Sequence, residues 1–191
     1  MRQARVLTDP EFKRLLAVVA QRKHAARDRF ALILSHLAGL RVGEIAGLIL
    51  SDVFEANGDT REQLRVRASI AKGGHERVVF LSARLRREIE SYRDAIPGFV
   101  NRDANAPLLL TQKRRAFSPN TLCQLMGQLY RAAGLDGASS HSGRRWFITQ
   151  LAHAGVSPKV IMTLAGHRNL TTTQRYIDVR DDMMRAAVEL L

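Results

Sequence analysis

The sequence predicts a mainly α-helical domain that carries one small antiparallel β-sheet, an α+β fold. Most segments space their apolar residues three and four positions apart, as amphipathic helices do. Residues 51–82 instead alternate apolar and polar residues around two turn signals, Asn57-Gly58 and Gly73-Gly74, which predicts about three strands. With 191 residues and 46% hydrophobic content, the chain is large enough to bury the core of one domain.

Capping residues place the helices of the first half. Thr8 and Glu11 form a possible capping box for the first helix. The apolar segment of residues 27–38 predicts a second helix that ends at Gly39, and "RVGEIAGL" predicts a short helix directly after it. Ser82 is the expected cap of the helix that follows the sheet.

The second half is expected to be helical throughout. Ser118-Pro119 begins a helix that Gly134 ends, and "RRWFITQLAHA" continues to Gly155. Ser157-Pro158 begins "SPKVIMTLA", and short helices containing Tyr176 and then "DDMMRAAVELL" complete the chain. The sequence shows neither an internal repeat nor a linker-like segment.

The charge of the chain indicates a polyanionic partner. Thirty Lys and Arg residues against eighteen Asp and Glu residues give a net charge of +12, which favours nucleic acid, although a generally basic surface would have the same composition. The single cysteine, Cys123, excludes a disulfide within the chain and indicates a reducing cytoplasm. Since no stretch approaches the ~20 apolar residues of a membrane helix, we expect no membrane partner.

Motifs for metals and nucleotide cofactors are missing from the sequence. It contains no P-loop, dinucleotide fingerprint, HExxH or CxxC motif. Four histidines show no metal-ligand grouping and are expected at the surface or between helices: His24, His36, His75 and His153. We therefore expect no metal and no cofactor.

Several basic residues occupy positions where they could meet a phosphate. Arg41 lies between Leu40 and Val42 at the junction of two helices, where a charge must reach solvent or a partner. His141 and Arg144 are three residues apart at a helix start, so they share a face near an end that favours anions.

Two further residues are candidates of the same kind. Lys72 lies in the turn between two predicted strands, from which it could reach a groove or a leaving oxygen. His167 follows a helix end, where the helix dipole would favour its cation. Taken singly, Arg41 is better explained as a helix-end arginine and Lys72 as a solvated turn lysine, and the other basic residues have bland explanations of the same kind.

Together these residues resemble the active site of the tyrosine recombinases, or phage integrases. The matching segments are "AGLRVGEIAGL", the hairpin lysine, "HSGRRWFITQLAHAGVSPKVIMTLAGH" and "TTTQRYIDV", and the correspondence runs from about Thr8 to Tyr176. The six expected positions occur in the family's order and spacing: Arg41, Lys72, His141, Arg144, His167 and Tyr176.

The resemblance implies strand cleavage and rejoining through a covalent 3′-phosphotyrosine, without metal or cofactor. Tyr176 would be the nucleophile and Lys72 the general acid, while Glu44 would support Arg41. Arg41, Arg144 and His167 would stabilise charge in the transition state, and His141 would contact the phosphate or accept the phenolic proton. Two alternatives remain open: relaxation of DNA in the manner of a type IB topoisomerase, and a DNA-binding regulator without catalysis.

The resemblance also implies partners and an organisation. We expect double-stranded DNA as the partner, a homo-oligomer that forms a tetrameric synapse on it, and accessory DNA-bending or directionality proteins. The enzyme would belong to a mobile element. It would be cytoplasmic, and nucleoid-associated when bound to DNA. Residues 1–178 would form the catalytic domain, without the N-terminal core-binding domain of most integrases, so the chain is either a fragment or a short recombinase. Residues 179–191 would form a tail that docks onto a neighbouring subunit through a stripe of Val179, Met183, Ala187 and Leu190.

The chain departs from the family's pattern between His141 and Arg144. Many members carry an acidic and an apolar residue there, whereas this chain has Ser142-Gly143. Glycine lowers helix propensity, so this helix start is expected to pack differently from that of the family, while His141 and Arg144 themselves are unchanged.

Overall fold

The computed structural model describes residues 4–99, 102–177 and 181–189. The mainly helical fold is confirmed. The helices are α1 (Asp9–Ala20), α2 (Ala25–Leu37), α3 (Val42–Gly47), α4 (Ala83–Asp94), α5 (Pro119–Ala132), α6 (Ser142–His153), α7 (Pro158–Ala165), α8 (Leu170–Gln174) and α9 (Asp181–Val188). Between α3 and α4 the strands β1 (Gln63–Val66) and β2 (Arg77–Phe80) form the sheet.

Helix α2 lies at the centre of the domain. It packs against α1, α4, α5 and α6, and its residues Phe30 to His36 are all buried. A run of apolar residues without a polar face is expected for a helix that is surrounded on all sides. The C-terminal end of α2 therefore lies inside the protein, where α3 and α6 approach it.

The predicted helix caps are confirmed. Thr8 and Glu11 form a capping box at α1, and Ser82, Ser118 and Ser157 each accept a hydrogen bond from a backbone N–H of the helix that follows. Gly39, just after α2, has a φ of 62°, a conformation that glycine adopts without a steric cost.

The prediction of three strands is wrong, because the described sheet has two. Strands β1 and β2 pair antiparallel, with Leu64 opposite Val79. The expected third strand is reduced to a single bridge between Phe54 and Thr60. The chain before it is taken up by a 3-10 helix, Leu50–Asp52, and the chain between the bridged residues by a turn in which the Asn57 side chain bonds Asp59.

A second, smaller core lies beside the main one. Ile148 and Ala152 of α6 and Ile161 and Ala165 of α7 are buried together, and Tyr176 packs against them partly buried. Tyr176 does not lie in a helix as predicted, because α8 ends at Gln174 and the tyrosine occupies the turn beyond it.

The predicted tail is only partly described. Val179 and Leu190 of its proposed stripe lie outside the described residues, as does the side chain of Met183. Within α9, Met184 and Val188 are exposed. None of the described helices is long and apolar enough to cross a membrane, and no group of potential metal ligands occurs among the described residues.

Candidate active site

The six residues singled out from the sequence line one cleft of about 460 Å³. They come from distant parts of the chain: the start of α3, the β1–β2 connection, the start of α6, the end of α7 and the turn after α8. The remaining residues of its lining were not predicted from the sequence: Gly73, Gly166, Arg168, Asn169 and Thr172.

Arg144 is the most deeply buried cation of the cleft. Its side chain donates to two backbone carbonyls, from Nη1 to Gly39 O at 2.6 Å and from Nη2 to Ala165 O at 2.5 Å. Burial, followed by the charge of Arg41, lowers the pKa of Arg144 to about 9. The guanidinium therefore remains protonated at neutral pH and is held between the end of α2 and the end of α7.

Close packing of α6 against α2 explains why a glycine, Gly143, lies at the start of α6. A Cβ atom at this position would lie 2.4 Å from Ser35 Oγ and 2.7 Å from His36 Nδ1, both on α2. Ser142 accepts a hydrogen bond from the backbone N–H of Ser139 at 2.9 Å, which fixes the turn into α6. The pair Ser142-Gly143 thus brings α6 directly against α2 and sets the position of Arg144.

Arg41 is held by a carboxylate and by the end of α7. Its Nη1 donates to Glu44 Oε1 at 2.9 Å, its backbone N–H donates to Glu44 Oε2 at 2.8 Å, and its Nη2 donates to Gly166 O at 3.1 Å. Glu44 is only 1% exposed. Burial favours its neutral form, but the hydrogen bonds and charges of Arg77 and Arg41 outweigh burial and hold the pKa of Glu44 below its ordinary value.

Arg77 is a third guanidinium at this site, and the sequence reasoning missed it. It lies on β2 and bonds both oxygens of Glu44, at 2.7 Å and 2.9 Å. The available signal was strand alternation, because Arg77 shares its face of β2 with the buried Val79. A charged residue on the inward face of a strand requires a buried partner.

His167 differs from its expected charge state. Burial, followed by the charges of Arg144, Arg41 and Arg77, lowers the pKa of His167 to about 4, so the ring is neutral at pH 7. The expectation that the helix dipole would favour the cation is wrong, because the carbonyls of Ala165 and Gly166 at that helix end accept from Arg144 and Arg41 instead. His167 Nδ1 lies 2.9 Å from Thr173 Oγ1, so Thr173 orients the ring.

Tyr176 stands between an aromatic and a cationic neighbour. Its ring stacks with His167 at a centroid distance of 5.9 Å, and the Arg145 guanidinium lies 5.4 Å from its centroid. The ring also packs, partly buried, against the smaller core. The structure thus brings Tyr176 to the same cleft as Arg41 and Arg144.

Of the six predicted site residues, Lys72 and His141 are the exposed ones. Lys72 lies in the β1–β2 connection of residues 67–76, as predicted. This connection is tied to the other side of the cleft because the Arg168 guanidinium donates to the carbonyl of Gly73. His141 caps the N-terminus of α6 without a side-chain hydrogen bond to the helix.

Comparison with known sequences identifies tyrosine recombinases among the relatives of the chain. The family model described as the phage integrase family matches residues 5–183. The chain is 36% identical over 188 residues to the tyrosine recombinase XerA of Pyrococcus horikoshii, covering 96% of this chain and 60% of the relative. It is 32% identical over 165 residues to the tyrosine recombinase XerC of Pelobacter propionicus, covering 86% of this chain and 51% of the relative. The chain therefore spans between half and two thirds of the length of these relatives.

Solved structures share the fold. A crystal structure of XerA recombinase superposes with a TM-score of 0.75 at 24% identity, covering 98% of this chain and 66% of the other. The Tn1549 transposon integrase in complex with transposon right end DNA superposes with a TM-score of 0.76 at 20% identity, covering 99% and 66%.

Proposed function

The chain belongs to the phage integrase family, and from this premise we propose that it is a site-specific DNA recombinase acting through a covalent 3′-phosphotyrosine. One observation carries the proposal: a tyrosine, three groups able to donate to a phosphate and two groups able to move protons all line one cleft. The relatives' names as tyrosine recombinases support it.

The proposed first step is an in-line displacement at phosphorus. The phenolic oxygen of Tyr176 forms a bond to the scissile phosphorus, and the bond from phosphorus to the 5′ oxygen breaks. Lys72 gives a proton to the departing 5′ oxygen, and His141 accepts the phenolic proton. The phosphodiester is thereby exchanged for a tyrosyl ester, which a 5′ hydroxyl of another strand attacks in the reverse reaction.

The transition state is stabilised by Arg41 and Arg144 in this proposal. Both guanidiniums are already held in place by the protein, so no reorganisation is needed as charge builds on the non-bridging oxygens. Loss of one fixed donor of this kind costs about 3–4 kcal/mol in the barrier. The neutral ring of His167, oriented by Thr173, supplies a further N–H toward the same oxygens.

The substrate and partners follow from the same premise. We propose double-stranded DNA as the substrate, bound by a surface whose chain carries a net charge of +12. We also propose a tetrameric synapse in which residues 179–191 contact a neighbouring subunit; the exposed Met184 and Val188 of α9 support this use of the tail. Accessory DNA-bending or directionality proteins, and action in the cytoplasm at the nucleoid, belong to the same proposal.

The experiment is a suicide substrate, a nicked duplex that loses a short strand on cleavage and so traps the covalent complex. The unmodified protein should form an adduct that resists denaturation, and Tyr176→Phe should abolish it while DNA binding is retained. Tyr92→Phe is the matched control, because the Tyr92 hydroxyl donates to Leu108 O within the main core and its loss should leave adduct formation intact. An adduct that persists in Tyr176→Phe would refute the nucleophile.

Two outcomes separate the alternatives. Relaxation of a supercoiled plasmid without joining of two exchanged duplexes would indicate topoisomerase activity instead of recombination. Sequence-specific binding without any adduct would indicate a regulator.

A further inference from the structure

Arg77 and Arg41 share the buried carboxylate of Glu44. Glu44 Oε1 accepts from Nη1 of Arg41 and from Nη1 of Arg77, and Oε2 accepts from the Arg41 backbone and from Nη2 of Arg77. Each carboxylate oxygen thus accepts one hydrogen bond from Arg41 and one from Arg77. Because the carboxylate is fully occupied by this arrangement, the Arg41 guanidinium needs to give it only one of its N–H groups.

Arg77 also packs against Gly166, the second residue that holds the Arg41 guanidinium. A Cβ atom on Gly166 would lie 2.8 Å from both Cδ and Nε of Arg77, so the Arg77 side chain lies against the Gly166 backbone. The carbonyl of that same residue accepts from Arg41 Nη2. Both groups that orient the Arg41 guanidinium, Glu44 and Gly166, are therefore in contact with Arg77.

Arg77 itself does not face the substrate position. It is absent from the cleft lining, and its side chain is 14% exposed. Any effect of Arg77 on a phosphate in the cleft must act through the residues that it holds.

We propose that Arg77 is a positioning residue, which fixes Glu44 and Gly166 so that the Arg41 guanidinium faces the scissile phosphate. The inference rests on the proposed recombinase function. Without Arg77, the buried carboxylate of Glu44 would lose half of its donors, and an undersatisfied buried charge draws the nearest cation to itself. Arg41 would then form a two-pronged pair with Glu44 and turn away from the phosphate.

The test separates the rate of cleavage from DNA affinity. Single-turnover cleavage of the suicide substrate is measured at saturating DNA, and the Kd is measured by fluorescence anisotropy. Arg77→Met should slow cleavage about 10²-fold, the effect expected of a misplacement of about 1 Å, with less than a threefold change in Kd. The cleavage rate of Arg77→Lys should lie between those of Arg77→Met and the unmodified protein, because lysine keeps the charge but not the paired geometry.

Arg65→Met is the matched control. Arg65 lies on β1 opposite Val78 of the same sheet, is exposed, and pairs with the exposed Glu76 at 3.5 Å. Its substitution removes the same charge from the same sheet and should leave the cleavage rate within about twofold. An unchanged rate in Arg77→Met would overturn the inference.

A neutral substrate distinguishes positioning of Arg41 from a general structural role. Replacing one non-bridging oxygen of the scissile phosphate by methyl removes the charge that Arg41 is proposed to meet. On this methylphosphonate, the defect of Arg77→Met should shrink from about 10²-fold to less than about fivefold. A defect of equal size on both substrates would overturn the inference, and thermal melting of each variant reports any loss of folding.

Failure of the proposed function would appear differently. In that case the unmodified protein would form no adduct with either substrate. The positioning of Arg41 is then read from the Arg41 Nε–H resonance of the DNA-free protein by NMR. It should shift in Arg77→Met and stay in place in Arg65→Met; no shift in Arg77→Met would overturn the inference.

Discussion

The charged groups of the cleft are held in two different ways. Arg41 and Arg144, the fixed pair, donate to backbone carbonyls and to the buried Glu44. Lys72 and His141, the exposed pair, stand at the cleft without such partners among the described residues. The difference fits the proposed chemistry: charge stabilisation requires donors that are already oriented, whereas proton transfer requires groups that approach the substrate when it binds.

The largest effect is expected from the fixed pair. Arg144→Met should slow single-turnover cleavage about 10³-fold, because it removes an oriented donor that cannot be replaced from solvent. Arg131→Met, which removes an exposed arginine of α5, is the control and should cleave normally. A loss smaller than tenfold would mean that the fixed pair is not the main source of stabilisation.

Substitution in the exposed pair should slow cleavage less, and a modified substrate should restore the rate. Lys72→Met should slow cleavage by about 10²-fold, because the leaving 5′ oxygen then lacks its proton donor. A substrate with sulfur at that bridging position has a leaving group that needs no proton and should restore the rate. Lys13→Met, on the exposed face of α1, serves as the control. If sulfur does not rescue Lys72→Met, the lysine acts on the phosphate instead of the leaving group.

Substituting alanine for two helical glycines should change the free energy of unfolding in opposite directions. Gly143→Ala should lower the free energy of unfolding by about 1–3 kcal/mol, since the new methyl group would collide with α2. A methyl group at Gly127 of α5 would meet, among the described residues, only Arg131 Nη1 at 3.5 Å, so Gly127→Ala should raise stability by about 0.5–1 kcal/mol. Urea unfolding measures both, and equal effects would show that the contact of α6 with α2 does not constrain residue 143.

The smallest effect concerns the charge of His167. Because its pKa is lowered to about 4, the ring resonances of the DNA-free protein should not titrate by NMR between pH 8 and pH 5. Below pH 6.5 the unfolded chain binds a proton at this position that the folded protein does not, so its contribution to stability falls as pH decreases from 6.5 toward 4.

A variant sharpens the same measurement. Arg144→Met should raise the pKa of His167, since the charge of Arg144 is a cause of the shift, but should leave it below 6.5 because burial is the larger cause. Protonation near pH 6.5 in the unmodified protein would contradict the neutral ring.

Much of this architecture could be predicted from local sequence signals. The caps at Thr8, Ser82 and Ser118 act within one helical turn, so the residues that specify them are adjacent in the sequence. The six site residues follow from the resemblance of their spacing and flanking segments to the family's motifs, and the structure places all six along one cleft. Their catalytic roles stay predictions.

Other features depend on contacts that local patterns do not contain. The prediction of a third strand was wrong because alternating apolar and polar residues in 53–62 do not reveal whether the backbone hydrogen bonds form a turn or a β-ladder. The neutral state of His167 results from its burial, followed by the charges of three arginines that lie far away in sequence or on another element. Arg77 was missed because its partner, Glu44, lies on a helix that the strand pattern does not predict to be near.

The carbonyls at the end of α7 have a consequence for conformational entropy. A free arginine side chain has about 2 kcal/mol of rotamer entropy to lose when it is fixed. Ala165 O and Gly166 O, which carry the negative end of the α7 dipole, hold Arg144 and Arg41 before any phosphate arrives. The ordering of these two side chains is therefore completed during folding, and a phosphate entering the cleft meets arginines that have little rotational freedom left to lose.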